Sequence, residues 1–282
     1  MIRSFFLIIM GISLSVMNVS AQDKYITDNL EKLWETSDGL KTTESVLYDP
    51  IDKVIYVANI NENPWEKDGN GYISRLKTNG EILDVRWVKG LSAPKGMGLF
   101  DGKLYVTNID EVVEIDAKSA TIIKRYTHPE ASNLNDIAVG ADGSVYISDS
   151  KGNNIYEIAN GNLNVLAVSI DGPTNGLFYE RGRLLCGQTN RVAVIDLKSK
   201  KMTSYILETG SIDGIEGIGD GSYLISDWLG HVHIIKQGKQ KELILNTTPV
   251  KINAADIEFN QAERILYVPT FFHNSVAAYK LR

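Results

Sequence analysis

The chain has 282 residues, with 29 Lys and Arg against 35 Asp and Glu and a formal net charge of −6. That balance is too acidic for a protein whose partner is the phosphate backbone of a nucleic acid. A lone cysteine, Cys186, excludes an intramolecular disulfide, and its neighbours Leu184 and Leu185 mark it as a buried structural thiol rather than a nucleophile.

In chain order, residues 1–21 read as a secretory signal: Arg3 supplies the positive start, residues 5–17 are apolar, and Val19-Ser20-Ala21 offers small residues for cleavage. The mature chain is expected to begin at Gln22 and to be exported, to a periplasm or to the cell exterior. The apolar run, about 13 residues, is short for a bilayer span, and no second such run follows, so no stable membrane anchor is expected. Residues 22–282 then read as one domain, large for an average globule but ordinary for a closed all-β ring.

Leu30–Thr36 has the composition of a strand with no neighbour to pair with. After it, one pattern returns six times: a short apolar strand, a turn, and a second apolar strand. The clearest copy is Asn135-Asp136-Ile137-Ala138-Val139, Asp142-Gly143, then Val145-Tyr146-Ile147-Ser148-Asp149. Asp-Gly suits tight hairpins, whose central residues take positive φ. Aligned first positions are Glu44, Lys95, Asn135, Asn175, Asp213 and Ala255, spaced 51, 40, 40, 38 and 42 residues apart. The long interval is an insertion in the first unit, residues 61–71, with Pro64 and Trp65. Two further strand-like segments follow each pair, and four strands per repeat make a propeller blade. The predicted fold is all-β, a six-bladed β-propeller. Its sixth unit ends after three strands, so Leu30–Thr36 is expected to supply the fourth and close the ring.

In such a ring the innermost strands line an axial channel, and the six aligned residues meet at one mouth. Two carboxylates, two amides, one ammonium and one methyl would converge there. Oxygen-rich sets of this kind suit a hard cation such as calcium, whereas zinc favours His or Cys. The alternative is that polar residues simply begin strands. Asn59, Asn108, Asp149, Gln188, Asp227 and Thr270 end the second strands; as rim residues they could reach a ligand, and as turn residues they would be satisfied locally. His231 and His233 share a strand face without an evident third ligand. No Gly-rich phosphate loop or Gly-x-Ser-x-Gly elbow occurs.

These segments resemble the propeller family that groups senescence marker protein (regucalcin), gluconolactonase and luciferin-regenerating enzyme, with the paraoxonases as a related group. Glu44-Ser45-Val46-Leu47-Tyr48, Asn135-Asp136, Asn175-Gly176-Leu177 and Asp213-Gly214 are similar to the family's ligand-bearing segments in blades one, three, four and five. The resemblance implies a divalent metal, most readily Ca2+, held by Glu44, Asn135, Asn175 and Asp213. It implies hydrolysis of a small-molecule lactone or ester, with Asp213 as general base. Asn133 stands where sugar-lactone members carry an arginine, and Lys95 and Asn108 stand where paraoxonases carry histidines. Asn133, Asn108, Asp149, Gln188 and Asp227 are the candidate substrate contacts. Lys95 is read three ways: as a catalytic stabiliser of an oxyanion, as an ammonium in the cation's place, or as a stem packed on the channel wall. A non-catalytic propeller that binds a ligand or protein, with residues 61–71 as contact loop, is the competing reading.

Overall fold

The computed structural model describes residues 25–169 and 171–282; the expected signal segment lies outside the described residues. Six four-stranded antiparallel sheets follow one another around an axis. Blade one holds β2 (Thr43–Asp49), β3 (Val54–Asn59), β4 (Gly71–Lys77) and β5 (Ile82–Leu91). Blade two holds β6 (Pro94–Phe100), β7 (Lys103–Asn108), β8 (Glu111–Asp116) and β9 (Thr121–Thr127). Blade three follows with β10 (Leu134–Val139), β11 (Val145–Asp149), β12 (Asn154–Ala159) and β13 (Asn162–Val168). Blade four comprises β14 (Thr174–Glu180), β15 (Arg183–Gln188), β16 (Arg191–Asp196) and β17 (Lys201–Leu207). Blade five comprises β18 (Ile215–Gly217), β19 (Ser222–Asp227), β20 (His231–Lys236) and β21 (Glu242–Asn246). Blade six has β22 (Glu258–Asn260), β23 (Ile265–Pro269) and β24 (Val276–Leu281), and its outer strand is β1 (Leu30–Thr36).

The ring closes as the sequence predicts. β1 runs antiparallel to β24, from Leu30 opposite Leu281 to Thr36 opposite Val276, with a bulge between Lys32 and Trp34. A second closure lies near the axis, where Asp256 N–H donates to Glu44 O at 3.0 Å and Phe271 N–H to Thr43 O at 3.0 Å.

Burial falls from axis to rim. β3 and β7 are covered on both faces, as expected for strands sandwiched between blades, whereas the outer strands β9 and β17 are mostly exposed, with one buried residue each. The core is therefore divided into seams between blades. Tyr56, Ala58 and Ile73 of blade one pack on Met97, Leu104 and Val106 of blade two, and Val46, Ile55 and Val57 pack on Tyr267, Val276 and Ala278 of blade six. Cys186 sits in such a seam, fully buried beside Leu177 and Leu184, and burial pushes its thiol well above the usual range.

Two expectations need correction. Asp101-Gly102 and Arg181-Gly182 form two-residue hairpins with positive φ at both positions (47° and 73°, 49° and 77°). At Asp142-Gly143 only the glycine is positive, at 85°: the connection is longer, and Asp142 instead accepts the Ser144 N–H at 3.1 Å. The first strands of blades five and six are also shorter than expected. Asp213 and Ala255 precede β18 and β22 and are tied to the second strands by single bonds, Asp213 N–H to Ser226 O and Ala255 N–H to Pro269 O.

Candidate functional site

The strand register explains how side chains reach the axis. Pairing breaks between Thr43 and Ser45, Pro94 and Met97, Leu134 and Ile137, and Thr174 and Leu177. Glu44, Lys95, Asn135 and Asn175 each lie in one of these breaks. A bulge leaves a residue unpaired and re-aims its side chain, which ordinary alternation would send into a seam.

The residue after each ring position decides how closely the blades approach. A Cβ on Gly96 would stand 2.6 Å from Asn135 O, one on Gly176 2.5 Å from Asp213 O, and one on Gly214 2.5 Å from Ile257 N. Glycine is required by this contact, not by unusual backbone angles. At Ser45 and Asp136, and from the second strands at Ser226 and Thr107, polar side chains bridge the blades. Ser45 Oγ donates to Lys95 O at 2.6 Å, Leu177 N–H donates to Asp136 Oδ2 at 2.6 Å, and Ser226 Oγ donates to Ala255 O at 2.7 Å. Thr107 Oγ1 likewise donates to Asn135 O at 2.6 Å.

Within the ring Lys95 Nζ stands 3.6 Å from Glu44 Oε1, with both side chains buried. Glu44 Oε2 has no partner. Burial pushes the Glu44 carboxyl up to about 8, against the pull of Lys95, with Asp213 and Asp136 adding to the rise. Asn175 Nδ2 donates to Asp213 Oδ1 at 2.8 Å. Burial raises Asp213 to about 6, moderated by that bond and by Lys95. Asn133 Nδ2 donates to Ser150 Oγ at 2.7 Å, and Asn135 Nδ2 reaches the same hydroxyl at 3.4 Å. The Oδ1 atoms of Asn133, Asn135 and Asn175 are buried without a partner.

Four buried acceptors without donors are costly unless something supplies positive charge or a proton. Three of them, on Glu44, Asn135 and Asn175, belong to the proposed ligand set, so the donor chemistry fits a hard oxygen-seeking cation. Among the described residues no cluster of three or more His, Cys, Asp or Glu has the arrangement to hold a metal ion. The fit therefore depends on the two amide oxygens.

Above the ring, the first-blade insertion carries Trp65 over Lys95, its ring centroid 4.9 Å from Nζ. The insertion is tied to blade two by the Lys67–Asp110 ion pair. A cavity of about 470 Å³ opens here, lined by Trp65, Ile109, Ser132, Asn133, Ser150 and Lys151. Toward the opposite face the channel widens to about 250 Å³ among Asp136, Glu216, Asp256 and Glu258, all four with carboxyls raised by burial. This acidic layer is absent from the expected site. Asp136 and Asp256 immediately follow ring positions, and Glu216 and Glu258 lie three residues beyond ring positions, so the repeat alignment carried the signal.

The strand-end residues have partners outside the ring. Asn108 Oδ1 accepts the N–H groups of Ser92 and Ala93, at 2.8 and 3.0 Å. Asp149 accepts four backbone N–H groups, from Ser132, Asn133, Lys151 and Gly152. Gln188 Nε2 donates to Ser169 Oγ, and Asp227 Oδ2 meets His231 Nδ1 at 2.8 Å. These groups tie the loops that surround the mouth. Of the five candidate substrate contacts, Asn133 lines the cavity. His231 and His233, ring centroids 5.7 Å apart, lie on the third strand of blade five.

No protein-family model matches the chain, and no curated protein matches it. Solved structures do. A gluconolactonase of Xanthomonas campestris superposes with a TM-score of 0.70 at 15% identity, over 92% of this chain and 94% of that one. A putative gluconolactonase gives 0.67 at 16% identity, over 91% and 93%. A catalytically inactive virginiamycin B lyase from Staphylococcus aureus, solved with quinupristin, gives 0.63 at 13% identity, over 90% and 99%. The chain therefore has the six-bladed propeller fold that gluconolactonases share with virginiamycin B lyase, in keeping with the resemblance read from its sequence.

Proposed function

We propose that this protein is an exported hydrolase of small lactones or esters that works with a divalent cation, most readily calcium, at the axial mouth. The observation that carries the reading is the set of buried, unpartnered oxygens on Glu44, Asn135 and Asn175, closed by the Asp213 carboxylate. Glu44 and Asp213 bring the negative charge and the two amides complete the oxygen set. When bound, such a cation acts as a Lewis acid toward the ester carbonyl.

The chain's own groups then divide the work. Asp213, held at 2.8 Å by Asn175, is the carboxylate placed to take a proton from an attacking water. The water oxygen bonds to the carbonyl carbon, and Lys95 donates a hydrogen bond to the oxyanion that develops. The ring C–O bond breaks, and the departing alkoxide takes the proton back from Asp213. Trp65 stands over Lys95 at the mouth, its ring face toward the ammonium. The gluconolactonase-type neighbours support this reaction class by fold alone, and the signal-like residues 1–21 support export.

A second reading is favoured by one distance. With Nζ 3.6 Å from Glu44, the Lys95 ammonium can itself neutralise the ring, leaving a metal-free binding protein. Calcium titration by calorimetry on residues 22–282, beside Asp213→Ala and Lys95→Met, separates the two. Binding that disappears in Asp213→Ala supports the hydrolase, to be followed by a lactone screen with and without chelator. No binding by the native chain, gained in Lys95→Met, selects the second reading. The mass of the secreted product tests the expected start at Gln22.

A further inference from the structure

The seam between blades five and six holds a cavity that shares no residue with the ring. It measures about 280 Å³, and its apolar wall is formed by Leu245, Val250 and Ile252 on the blade-five side and Val268 and Ala277 of blade six. The chain before β1 crosses it. Ile26 bridges to Leu245 and Thr27 N–H donates to Ile244 O on blade five, and Leu30 then pairs with Leu281 on blade six.

Lys32, Glu35, His273 and Tyr279 supply the polar lining. Plain alternation would put Lys32 and Glu35 on opposite faces of β1, and the bulge between Lys32 and Trp34 brings both into the cavity. Glu35 is saturated: it accepts Lys32 Nζ at 2.5 Å and Ser275 Oγ at 2.6 Å, with His273 Nε2 at 3.5 Å. Burial pushes its carboxyl up, but the bonds from Lys32 and Ser275 outweigh burial and hold it below the usual range. Donors are what remain. Lys32 Nζ makes one hydrogen bond among the described residues and has three N–H groups. Tyr279, directly opposite Lys32 in the strand pair, is 5% exposed, and its hydroxyl has no partner among the described residues. Burial, with Glu35 nearby, keeps that phenol protonated.

We infer that this cavity is a small-molecule site separate from the ring, and that its ligand is a carboxylate with an apolar tail. The two carboxylate oxygens accept from Lys32 and Tyr279, and the tail lies against Leu245, Ile252, Val268 and Ala277. An alcohol offers one oxygen to the two donors, and an ammonium offers them no acceptor. The volume is about twice the roughly 150 Å³ that takes benzene, which suits a tail of about eight carbons.

The test is calorimetry on residues 22–282 in chelator, with straight-chain carboxylates from butyrate to octanoate beside octan-1-ol and octylamine. One octanoate should bind per chain, with affinity rising about three- to fourfold per methylene along the series. The alcohol and the amine should bind about tenfold more weakly or not at all. Lys32→Met and Tyr279→Phe should each weaken octanoate about fivefold or more. Tyr279→Phe removes only an unpartnered hydroxyl, so the fold is kept. Val250→Asp, at a wall position that is 41% exposed, should flatten the chain-length series. No octanoate binding, equal affinity for octan-1-ol, or an affinity unchanged in Tyr279→Phe overturns the inference. Binding that is lost in Lys95→Met and kept in Lys32→Met puts the carboxylate at the ring and overturns it as well.

Discussion

Lys95 and Glu44, 51 residues apart in sequence, are buried against one another at the axis with 3.6 Å between Nζ and Oε1. The pair is long for a charge-assisted hydrogen bond, and its second carboxylate oxygen is unpartnered.

Removing the ammonium should expose that arrangement. In chelator at pH 8.5, Lys95→Met is expected to lose about 2–4 kcal/mol of stability, near the cost of stripping one partner from a buried pair. Calcium should restore most of it. Urea unfolding with and without calcium measures both.

Acidity should stabilise the metal-free protein. Burial raises Glu44 and Glu258 to about 8, Asp136 to about 7 and Asp213 to about 6. Each carboxyl is more basic folded than unfolded, so the stability its proton contributes is full below about pH 4 and is lost as pH rises through 6 to 8. His233 acts in the opposite sense. Burial lowers it to about 4, so its contribution is full above about 6.5 and is lost as pH falls toward 4. Thermal melts in chelator should therefore show a higher Tm near pH 5.5 than at pH 8.5, and Glu258→Gln should narrow the difference.

The blade contact at Gly176 should not tolerate a methyl. Its Cβ would meet Asp213 O at 2.5 Å and Gly214 C and Ile215 N at 3.1 Å, all backbone atoms of the neighbouring blade. Gly176→Ala is expected to cost about 1–3 kcal/mol, the usual range for overpacking. By displacing Asn175 from Asp213 it should also weaken calcium binding at least tenfold, measured by calorimetry.

Asp149 offers a different readout. Asp149→Ala leaves four backbone N–H groups without their acceptor. The expected loss is about 2–4 kcal/mol, with Asp149→Asn intermediate. A pure substrate contact would instead change KM and leave the melt unmoved.

The repeat made the fold legible. Every blade shows the same two apolar strands with a turn between, and an unpaired segment before the first unit plus a missing strand after the last define the closure. Leu30–Thr36 emerges as that strand with the same bounds. The ring positions were legible for the same reason, since equal phase in a closed repeat means equal radius. What the sequence did not reveal is the function of polar residues at strand ends. Asn108, Asp149, Gln188 and Asp227 occupy the phase of a pocket rim, yet a side chain at a strand end can turn inward or tie its own loop. Local backbone partners decide which, and composition does not record them. Trp65 is a similar case: only the path of its loop brings it above Lys95, 30 residues later.

The pairing of β1 with β24 also sets an order of events in the life of the chain. The first strand of the ring waits for β24, so the circle cannot lock until Val276–Leu281 has left the ribosome. Until then blade six is an open edge and the seams beside it are wet. A chain of this design stays threadable until β24 is made, and its lock snaps shut only where that strand is free to fold.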